Sequence, residues 1–383
     1  MVNYDFLSVY FYSVPNLRFE KFNNNWSRTT ISKVCVCNPK NEDKLDDEFI
    51  YIDLESVEKG VLKSKNIIHL KNAPSRAQRI LYKNDILFQS VRPYQRNNYL
   101  LNEDDDFLQY VASTGYIQLR TTLNPYFLFQ LLNTDKINNE VMLRCTGTSY
   151  PAINSNDFSN ILITITNDRN EQNKIAKFFS LIEERIQTQI KIINDYKILK
   201  NHIIKSFINQ NGTSYLLSEI AELGRGRVIN SAEISKQKNP IYPVYSSQTS
   251  NNGIMGYLDN YDYEGEYITW TTDGANAGTV YYRNGKFNCT NVCGILKIKN
   301  GYDAYYISNI LNCYTKKYVS TNLANPKLMN NVMANIKINL PSIEQQKHSS
   351  KILQSIEYRV EIEEDIKLNL VKQKAFLLKN MFI

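Results

Sequence analysis

Two loops in the first half of the sequence combine arginine with amide and tyrosine side chains. They cover residues 74–79 (PSRAQR) and residues 92–99 (RPYQRNNY). Arginine, glutamine and asparagine can bond the edges of bases with two hydrogen bonds, and arginine also binds phosphates. For each loop taken singly, a solvated loop without a ligand is the alternative. The residues that this chemistry selects are Arg76, Arg79, Arg92, Gln95 and Arg96.

Three loops in the second half are rich in hydroxyl, amide and small residues. They cover residues 224–227 (GRGR), 245–253 (YSSQTSNNG) and 271–283 (TTDGANAGTVYYR). This composition is typical of a surface that recognises hydrogen-bond patterns. The residues selected here are Arg225, Arg227, Gln248, Thr271, Thr272, Asn276, Tyr282 and Arg283.

A glycine-rich phosphate-binding loop is the rival interpretation of residues 273–278 (DGANAG). The stretch lacks the G-x-x-x-x-G-K-[ST] pattern and leads into VYY, which predicts a strand. A phosphate-binding loop of this kind opens a helix instead. The sequence therefore favours hydrogen-bond recognition at this loop.

Motifs for catalysis and for metal binding are absent from the sequence. No P-loop, paired-histidine metal motif or G-x-S-x-G elbow occurs. Residues 124–126 (NPY) match half of the N-P-P-Y motif of adenine methyltransferases, but the second proline and a preceding glycine-rich cofactor loop are missing. The six cysteines and three histidines lack the spacing of a zinc site, which favours reduced structural cysteines. We therefore expect no catalytic residue and no metal site in this chain.

The overall charge and hydropathy leave the class of partner open. The net charge is +7, from 45 basic and 38 acidic residues, which is compatible with a nucleic-acid partner and also with none. No basic leader precedes an apolar run, and no window of 18 apolar residues occurs. We therefore expect a soluble, cytoplasmic protein without membrane contact. The 383 residues are enough for two medium-sized cores.

Two long helical patterns, residues 171–208 and 344–383, must position these loops. Apolar residues recur about every 3.6 residues in the first pattern, and neither pattern contains glycine or proline. A helix of 38 residues is about 57 Å long, so its apolar stripe needs a long partner. The simplest partner is the other copy, in a two-helix coiled coil, although a single such helix could instead cover a domain surface. The predicted seam residues are Phe179, Ile182, Ile186 and Ile193 in the first pattern and Ile352, Ile356, Val360 and Leu370 in the second.

The region ahead of each helix is also repeated. Residues 146–165 align with residues 321–340, pairing Pro151 with Pro326 and Ile163 with Ile338 at an offset of 175 residues. The globular parts themselves do not align by eye. The chain is therefore predicted to be a tandem duplication, in which each repeat has a variable globular part, a strand-like lead-in and a long helix.

Taken together, these motifs resemble the specificity (S) subunit of type I restriction-modification systems over essentially the whole chain. The helix starts carry EQNKIAKFFSLIEERI and LPSIEQQKHSSKILQSIEYRV, and PNLRFEKFNNNW looks like the family's opening into its first domain. NDILFQSVRP, STGYIQLR, YPVYSSQTSNNGIMGY and ITWTTDGANAGTV look like known recognition-domain types. Two departures bear on domain boundaries: TNDRNEQ stands where a proline is usual, and TSYLLSEIAEL lacks a tryptophan like Trp26.

The resemblance implies an α+β fold. Two globular α/β target recognition domains would be separated by two long antiparallel helices that form a coiled coil, with a pseudo-two-fold duplication of the chain. The implied boundaries are residues 1–166 for the first target recognition domain, 167–210 for the first long helix, 211–341 for the second target recognition domain and 342–383 for the second long helix.

The resemblance also implies a DNA-recognition subunit without catalysis of its own. Such a subunit reads a bipartite, asymmetric site on double-stranded DNA. It docks two modification (methyltransferase) subunits and two restriction (motor nuclease) subunits. The cofactors S-adenosylmethionine, ATP and Mg would be bound by those partners, and none by this chain.

Two other functions remain open. One is a non-catalytic protein-binding scaffold with a dimerising coiled coil, and the other is a self-sufficient methyltransferase, which the missing cofactor loop disfavours.

Helix length adds one expectation to the DNA-reading function. Two readers held roughly 50 Å apart would contact DNA a little over one helical turn apart, since a turn is about 34 to 36 Å.

Overall fold

The computed structural model describes residues 14–102, 107–208, 212–320 and 325–383. The chain divides into two compact units, of which the first comprises Met1–Gln189 with Ile366–Ile383 and the second comprises Ile190–Asp365. The opening residues 1–13, where a leader would stand, lie outside the described ranges. Within those ranges, none of the helices has the length and apolarity that a bilayer span requires.

The first unit places short strands and helices around one half of a long helix. Its strands are β1 (Ser27–Thr30), β2 (Cys35–Cys37), β3 (Glu48–Ile52), β4 (Val57–Glu58), β5 (Val61–Leu62), β6 (Asn66–His69), β7 (Ala77–Leu81), β8 (Ile86–Gln89), β9 (Tyr99–Leu100), β10 (Gln109–Ser113), β11 (Tyr116–Thr121) and β12 (Leu162–Ile165). Its helices are α1 (Ile31–Val34), α2 (Pro125–Leu132), α3 (Asp135–Arg144), α4 (Ser155–Ser159) and the first half of α5 (Arg169–Ile208), with 3₁₀ turns at Leu70–Asn72 and Pro93–Gln95.

Two four-stranded sheets form the body of the first unit. Their strand orders are β6-β3-β10-β7 and β2-β11-β8-β9. Strands β3 and β10 are parallel, and the other neighbouring strands are antiparallel. One apolar core joins the second sheet to α2, α4 and α5, and its largest fully buried members are Phe127, Phe158 and Phe179.

The second unit is built on one six-stranded sheet. Its strands are β13 (Thr213–Leu216), β14 (Ala221–Arg225), β15 (Tyr242–Tyr245), β16 (Ile254–Leu258), β17 (Tyr263–Thr271), β18 (Val280–Cys289), β19 (Cys293–Ile298) and β20 (Lys337–Leu340). Its helices are the second half of α5, α6 (Leu217–Ile220), α7 (Ser231–Ser235), α8 (Ala304–Tyr314), α9 (Asn330–Ala334) and the first half of α10 (Ile343–Met381), with 3₁₀ turns at Ser250–Gly253 and Thr315–Tyr318. The sheet order is β14-β19-β17-β18-β15-β16, with β15 parallel to β18.

The core of the second unit forms between this sheet and α8. Trp270 is fully buried, and its indole N–H donates to the carbonyl of Leu328 at 3.0 Å. Gly294 on the neighbouring strand leaves room for the ring, because a Cβ there would lie 2.2 Å from the indole. Any side chain at residue 294 would therefore displace Trp270.

The same set of elements, which we call the frame, precedes both long helices. It consists of a pair of antiparallel strands and a short helix. In the first unit β1 pairs with β12, and in the second β13 pairs with β20, both antiparallel. Strands β12 and β20 lie 175 residues apart, as do helices α4 and α9, which is the offset predicted from the sequence. The duplication is thus present in the frame, whereas the sheets between its parts differ in strand number and order.

A buried glutamine in the first turn of α5 ties this helix to the rest of the first unit. Gln172 Oε1 accepts a hydrogen bond from the backbone N–H of Asn124 at 2.9 Å, and its Nε2 donates to the carbonyl of Thr166 at 2.9 Å. Asn124 is the N-cap of α2. One side chain therefore joins the start of α5, the end of the lead-in and the start of α2.

The first turn of α10 contains the same arrangement in the second unit. Gln346 Oε1 accepts from the backbone N–H of Asp303 at 3.0 Å, and its Nε2 donates to the carbonyl of Pro341 at 2.8 Å. Asp303 is the N-cap of α8. We call these two arrangements the glutamine clamps.

The long helices are antiparallel within the first unit. The rings of Phe179 on α5 and Phe382, just beyond the end of α10, have centroids 5.9 Å apart, and Lys374 Nζ lies 2.6 Å from Glu183 Oε2. From Phe179 to Glu183 on α5, the contacting residues of the C-terminal segment run backwards from Phe382 to Lys374. The two helices are therefore antiparallel.

The second unit pairs the other halves of these helices in the same direction. Lys197 Nζ lies 2.8 Å from Glu364 Oε1, and the carboxylate of Glu357 binds both Lys200 and the hydroxyl of Tyr305. The prediction of an α+β fold with two long antiparallel helices is confirmed.

The predicted seam residues differ in burial between the two long helices. Those on α5 are buried, namely Phe179, Ile182, Ile186 and Ile193. Those on α10 are only half-buried, namely Ile352, Ile356, Val360 and Leu370. The fully buried leucine near the start of α10 is Leu353, one position beyond the predicted Ile352. The seam of α10 is therefore less regular than that of α5.

Gln346→Ala should destabilise the second unit, because the backbone N–H of Asp303 and the carbonyl of Pro341 lose their partner. Two such losses reduce the free energy of unfolding by about 2 to 4 kcal/mol. Urea unfolding followed by tryptophan fluorescence measures the change. The chain has two tryptophans, Trp26 in the first unit and Trp270 in the second, so a Trp26→Phe background reports on the second unit alone.

Gln354→Ala is the matched control, because Gln354 is exposed on the same helix. Its unfolding free energy should change by less than about 0.5 kcal/mol. Indistinguishable unfolding curves for the two variants would show that the glutamine clamp does not stabilise the second unit.

Candidate nucleic-acid interface

The first unit carries an open cleft with a volume of about 890 Å³ beside the β4–β5 hairpin and the loop that follows β8. Three of the predicted residues, Arg76, Arg92 and Gln95, line this cleft together. The other charged residues in its lining are Glu55, Glu58, Lys59 and Lys63. Basic side chains thus outnumber carboxylates there by two.

The loop after β8 holds two arginines in the left-handed backbone conformation. Arg92 has φ 54° and Arg96 has φ 55°, on either side of the 3₁₀ turn Pro93–Gln95. Non-glycine residues rarely adopt this conformation, and it persists only where surrounding contacts impose it. Here the backbone N–H of Arg92 donates to the carbonyl of Pro151 at 2.8 Å, and its guanidinium lies 4.3 Å from the ring centre of Tyr150.

Two buried amide side chains support this loop from beneath. Asn98 Oδ1 accepts from the backbone N–H of Gln89 at 2.8 Å, and its Nδ2 donates to Asn133 Oδ1 at 3.0 Å. Asn98 and Gln89 are both buried. The position of the half-buried Arg92 and the exposed Gln95 is therefore set by side chains that do not reach the cleft surface.

Arg79 and Arg96 lie outside this cleft. Arg79 is half-buried on β7, its Nε has no hydrogen-bond partner among the described residues, and burial lowers the pKa of its guanidinium. Arg96 lies 2.7 Å from Asp135 Oδ1 and lines a separate, smaller cavity with Lys379 and Phe382. The structure therefore brings together three of the five residues predicted in the first half.

Sequence reasoning missed the other residues that line the first cleft. Lys59 and Gly60 both have positive φ between β4 and β5, so the Lys-Gly pair was a turn signal that could have drawn attention to this hairpin. Tyr150 carried no such signal, because its contact with Arg92 joins distant parts of the sequence. The missed residues with polar or tyrosine side chains are Glu55, Glu58, Lys59, Lys63, Asn97 and Tyr150.

The second unit carries an open cleft with a volume of about 390 Å³, which brings Gln248 and Asn276 together. Asn276 Nδ2 donates to Thr249 Oγ1 at 3.1 Å, and Gln248 Nε2 donates to the carbonyl of Ile254. The missed lining residues with polar side chains are Ser246, Ser247, Asp273, Thr290 and Asn291.

Two polar atoms of this second cleft are buried without a partner. Asp273 Oδ1 and Thr290 Oγ1 make no hydrogen bond within the described part of the chain. Buried polar atoms are nearly always paired, so an unpaired group beside a cleft indicates a place for a ligand or an ordered water.

Thr271 and Thr272 shape the second cleft from inside the protein. Both are buried, and their hydroxyls donate to the carbonyls of Asn276 and Val292 respectively. Direct contact with a base requires an exposed side chain, so we reassign these two residues to holding the loop at residues 273–276.

Arg283 is also buried, between two aromatic rings. Its guanidinium lies 3.5 Å from the ring centre of Tyr245 and 4.4 Å from that of Tyr281, and Nη2 donates to the carbonyl of Asn252 at 2.7 Å. Burial lowers the pKa of Arg283. Asn251 and Asn252 have φ of 49° and 52°, so Arg283 fixes a loop of left-handed residues.

Tyr282 points to the opposite face of the sheet from Arg283, because side chains alternate along a strand. Its ring packs edge-on against Tyr305 of α8 with centroids 5.2 Å apart, and its hydroxyl binds Glu266. Tyr282 is therefore not brought together with Gln248 and Asn276.

The two arginines of the GRGR loop are exposed and already paired. Arg225 Nε donates to Asn330 Oδ1 at 3.0 Å. Arg227 forms ion pairs with Glu233 at 2.6 Å and Asp262 at 3.0 Å, and the hydrogen bond from Glu233 raises the pKa of Arg227. Their role as DNA contacts stays a prediction.

Comparison with known proteins assigns the family. Residues 210–373 match the family model of the type I restriction modification DNA specificity domain. A Mycoplasma pneumoniae protein, described as the N-terminus of a candidate type I specificity subunit, is 43% identical over 142 residues, which make up 37% of this chain and 75% of that protein. The chain belongs to the type I restriction-modification specificity subunits. The family predicted from the sequence is confirmed.

Another relative of this specificity subunit comes from M. pneumoniae, and two solved structures resemble its fold. The specificity subunit of the type I restriction enzyme MpnII is 39% identical over 172 residues, which are 44% of this chain and 51% of that protein. Among solved structures, the S subunit from M. genitalium has a TM-score of 0.63 at 17% identity and covers 97% of this chain and 99% of its own. A chain from a study of complex assembly in the type I R-M system has a TM-score of 0.59 at 19% identity and covers 93% and 97%.

The described ranges of this specificity subunit contain no group of three or more histidine, cysteine, aspartate and glutamate side chains that could hold a metal ion. The six cysteines are free thiols.

Arg283→Ala should unfold the second unit more easily, because the variant loses a buried cation between two rings and leaves the carbonyl of Asn252 unpaired. The expected loss is about 2 to 4 kcal/mol of unfolding free energy. Urea unfolding followed by Trp270 fluorescence in the Trp26→Phe background measures it.

Arg225→Ala is the control for this arginine, because Arg225 is exposed. It should lose less than about 1 kcal/mol. An Arg283→Ala protein with unchanged unfolding but weakened DNA binding would contradict the structural role and restore Arg283 as a contact residue.

Proposed function

We propose that this chain is the DNA-reading subunit of a type I restriction-modification enzyme and that each of its two units reads one half of a bipartite, asymmetric site. The observation that carries the proposal is that each unit has its own cleft, and that the two clefts differ in lining. Unlike linings recognise unlike sequences, so the two half-sites are expected to differ. This chain contributes recognition, and the chemistry belongs to its partners.

The first cleft supplies the charge that DNA binding requires. Arg76, Arg92, Lys59 and Lys63 line it together, opposed by two carboxylates. Basic side chains bind phosphates and release counterions, which gives affinity, and donors at base edges give specificity. The second cleft is lined by hydroxyl and amide groups and is therefore suited to base edges rather than to phosphates.

Docking of partner subunits is supported by large apolar side chains that are exposed on the long helices. In the first unit these are Leu181, Leu368, Val371 and Phe376. In the second unit they are Ile198, Leu199 and Tyr358. Exposed apolar patches of this kind indicate binding to other proteins.

We assign these patches to two modification subunits and, through the assembled complex, two restriction subunits. S-adenosylmethionine, ATP and Mg would be held by those partners. The chain itself is proposed to be non-catalytic and cytoplasmic.

Co-expression with the neighbouring modification subunit, followed by sequencing of adenine methylation, tests the function. The expected result is methylation at a split motif with two unlike halves. The complex should also bind DNA with a steep inverse dependence on salt concentration. A protein-binding scaffold predicts neither result, and methylation by the isolated chain with S-adenosylmethionine would show that it is itself a methyltransferase.

Insertion of four residues after Lys191, matched by four after Asp365, should lengthen the unspecified spacer of the motif. Four helical residues add about 6 Å, or one to two base pairs, while both half-sites persist. Methylation sequencing of the insertion variant gives the spacer directly. Lys191→Ala is the control, since Lys191 is exposed and its replacement leaves helix length unchanged. An unchanged spacer after the insertion would exclude helix length as the measure of site spacing.

A further inference from the structure

The side-chain amide of Gln89 has only one possible orientation in the first unit. Its Oε1 accepts from the backbone N–H of Asn97 at 2.9 Å, and its Nε2 donates to the carbonyl of Val91 at 2.9 Å. A backbone N–H can only donate and a carbonyl can only accept. Exchanging the oxygen and nitrogen of Gln89 would therefore break both bonds inside a fully buried site.

The orientation of Gln89 fixes that of Gln95. The second hydrogen of Gln89 Nε2 is donated to Gln95 Oε1 at 2.8 Å. An amide nitrogen cannot accept a hydrogen bond, so Gln95 must turn its oxygen towards Gln89. Gln95 is exposed and lines the first cleft, and its Nε2 makes no hydrogen bond to any described residue. The amide of Gln95 thus turns its oxygen towards the buried Gln89 and leaves both hydrogens of Nε2 free to donate.

We infer that Gln95 is a specificity-determining residue that donates a hydrogen bond to an acceptor on a base, which selects against cytosine at one position of the first half-site. The inference rests on the proposed function, namely that the first cleft reads DNA. In the major groove guanine presents O6 and N7, thymine presents O4 and adenine presents N7 as acceptors, whereas cytosine presents only the N4 donor.

A glutamine that reads adenine uses its oxygen and nitrogen together. The amide oxygen of Gln95 keeps a second lone pair after it accepts from Gln89, so this pairing with adenine stays open to Gln95. Cytosine offers Nε2 no acceptor, so cytosine is the base that the arrangement disfavours. Acceptors for amino bases do exist in this cleft, at Glu55 and Glu58, and they lie at other positions of its lining.

Gln89 acts on recognition as a positioning residue, since it is buried and reaches the base only through Gln95. It also joins Val91 and Asn97, the two ends of the loop that carries Arg92. Its removal should free the amide of Gln95 to rotate and present either atom. Relaxed base choice at the single position read by Gln95 is the signature that a purely structural role would not produce.

Gln95→Glu tests the inference in the assembled methyltransferase complex. One carboxylate oxygen keeps the bond from Gln89, and the other replaces the donor with an acceptor of the same shape. Methylation sequencing should show that cytosine, disfavoured in the unsubstituted protein, becomes favoured over guanine and thymine at one position of the first half-site. The preference between cytosine and these two bases should shift by about 5- to 150-fold, the range for one mismatched base pair. The second half-site and the spacer should stay as they are.

Three variants keep this test decisive. Gln95→Ala and Gln89→Met should each relax the same single position, which separates recognition from any general loss caused by the new charge in Gln95→Glu. Asn139→Asp is the charge control, because Asn139 is exposed on α3 in the same unit and does not line the cleft. It should leave the whole motif unchanged.

Two results would overturn the inference while the proposed function stands. One is an unaltered motif, or uniform loss of methylation, with Gln95→Ala. The other is a cytosine, in the unsubstituted protein, at the position that responds to Gln95. If the unsubstituted complex methylates no split motif, the proposed function itself fails, and the inference fails with it.

Discussion

The structure depends on one polar contact that occurs in both units, the glutamine in the first turn of each long helix. A long helix with one apolar face can slide or rotate on its support, because apolar packing has little directional preference. The glutamine clamps remove that freedom. Each clamp binds one backbone N–H at the start of a globular helix and one backbone carbonyl in the lead-in, so it defines both the position and the rotation of the long helix. Leaving either backbone group unpaired inside the protein would cost free energy, which is why these contacts persist as a pair.

The two clefts hold their loops in the same way but with different side chains. Both present loops with left-handed residues, and both hold them by a buried polar side chain that does not itself reach the surface. In the first unit that side chain is Gln89, and in the second it is Arg283, stacked between Tyr245 and Tyr281. Rigid loops lose little conformational entropy on binding, so a fixed arrangement of donors and acceptors favours discrimination between ligands. Rigid loops on a repeated support of strands and long helices fit the assignment of the chain to the type I specificity subunits.

The repeating parts of the fold could be predicted from the sequence, and the cleft linings only in part. Helix periodicity without glycine or proline gave α5 and α10, and the offset of 175 residues gave the paired lead-in strands. Val280 begins a strand as predicted. Composition could select Arg92, Gln95, Gln248 and Asn276, since exposed loops rich in these residue types are common at recognition surfaces. It could not show that Thr271, Thr272 and Arg283 are buried, because burial depends on which strands become neighbours. Contacts such as Arg92 with Tyr150 join residues far apart in the chain and leave no local pattern.

The difference between a repeated frame and unrepeated clefts has a consequence for how such proteins change over generations. No residue of the clamps, the lead-in strands or the long helices lines either cleft, so a substitution on a cleft surface leaves their contacts intact. Mutations there can alter which ligand is favoured at little cost to folding, and selection can act on one cleft without disturbing its counterpart. The same division predicts where sequence drift is tolerated least: at Gln172 and Gln346, two buried side chains that line neither cleft.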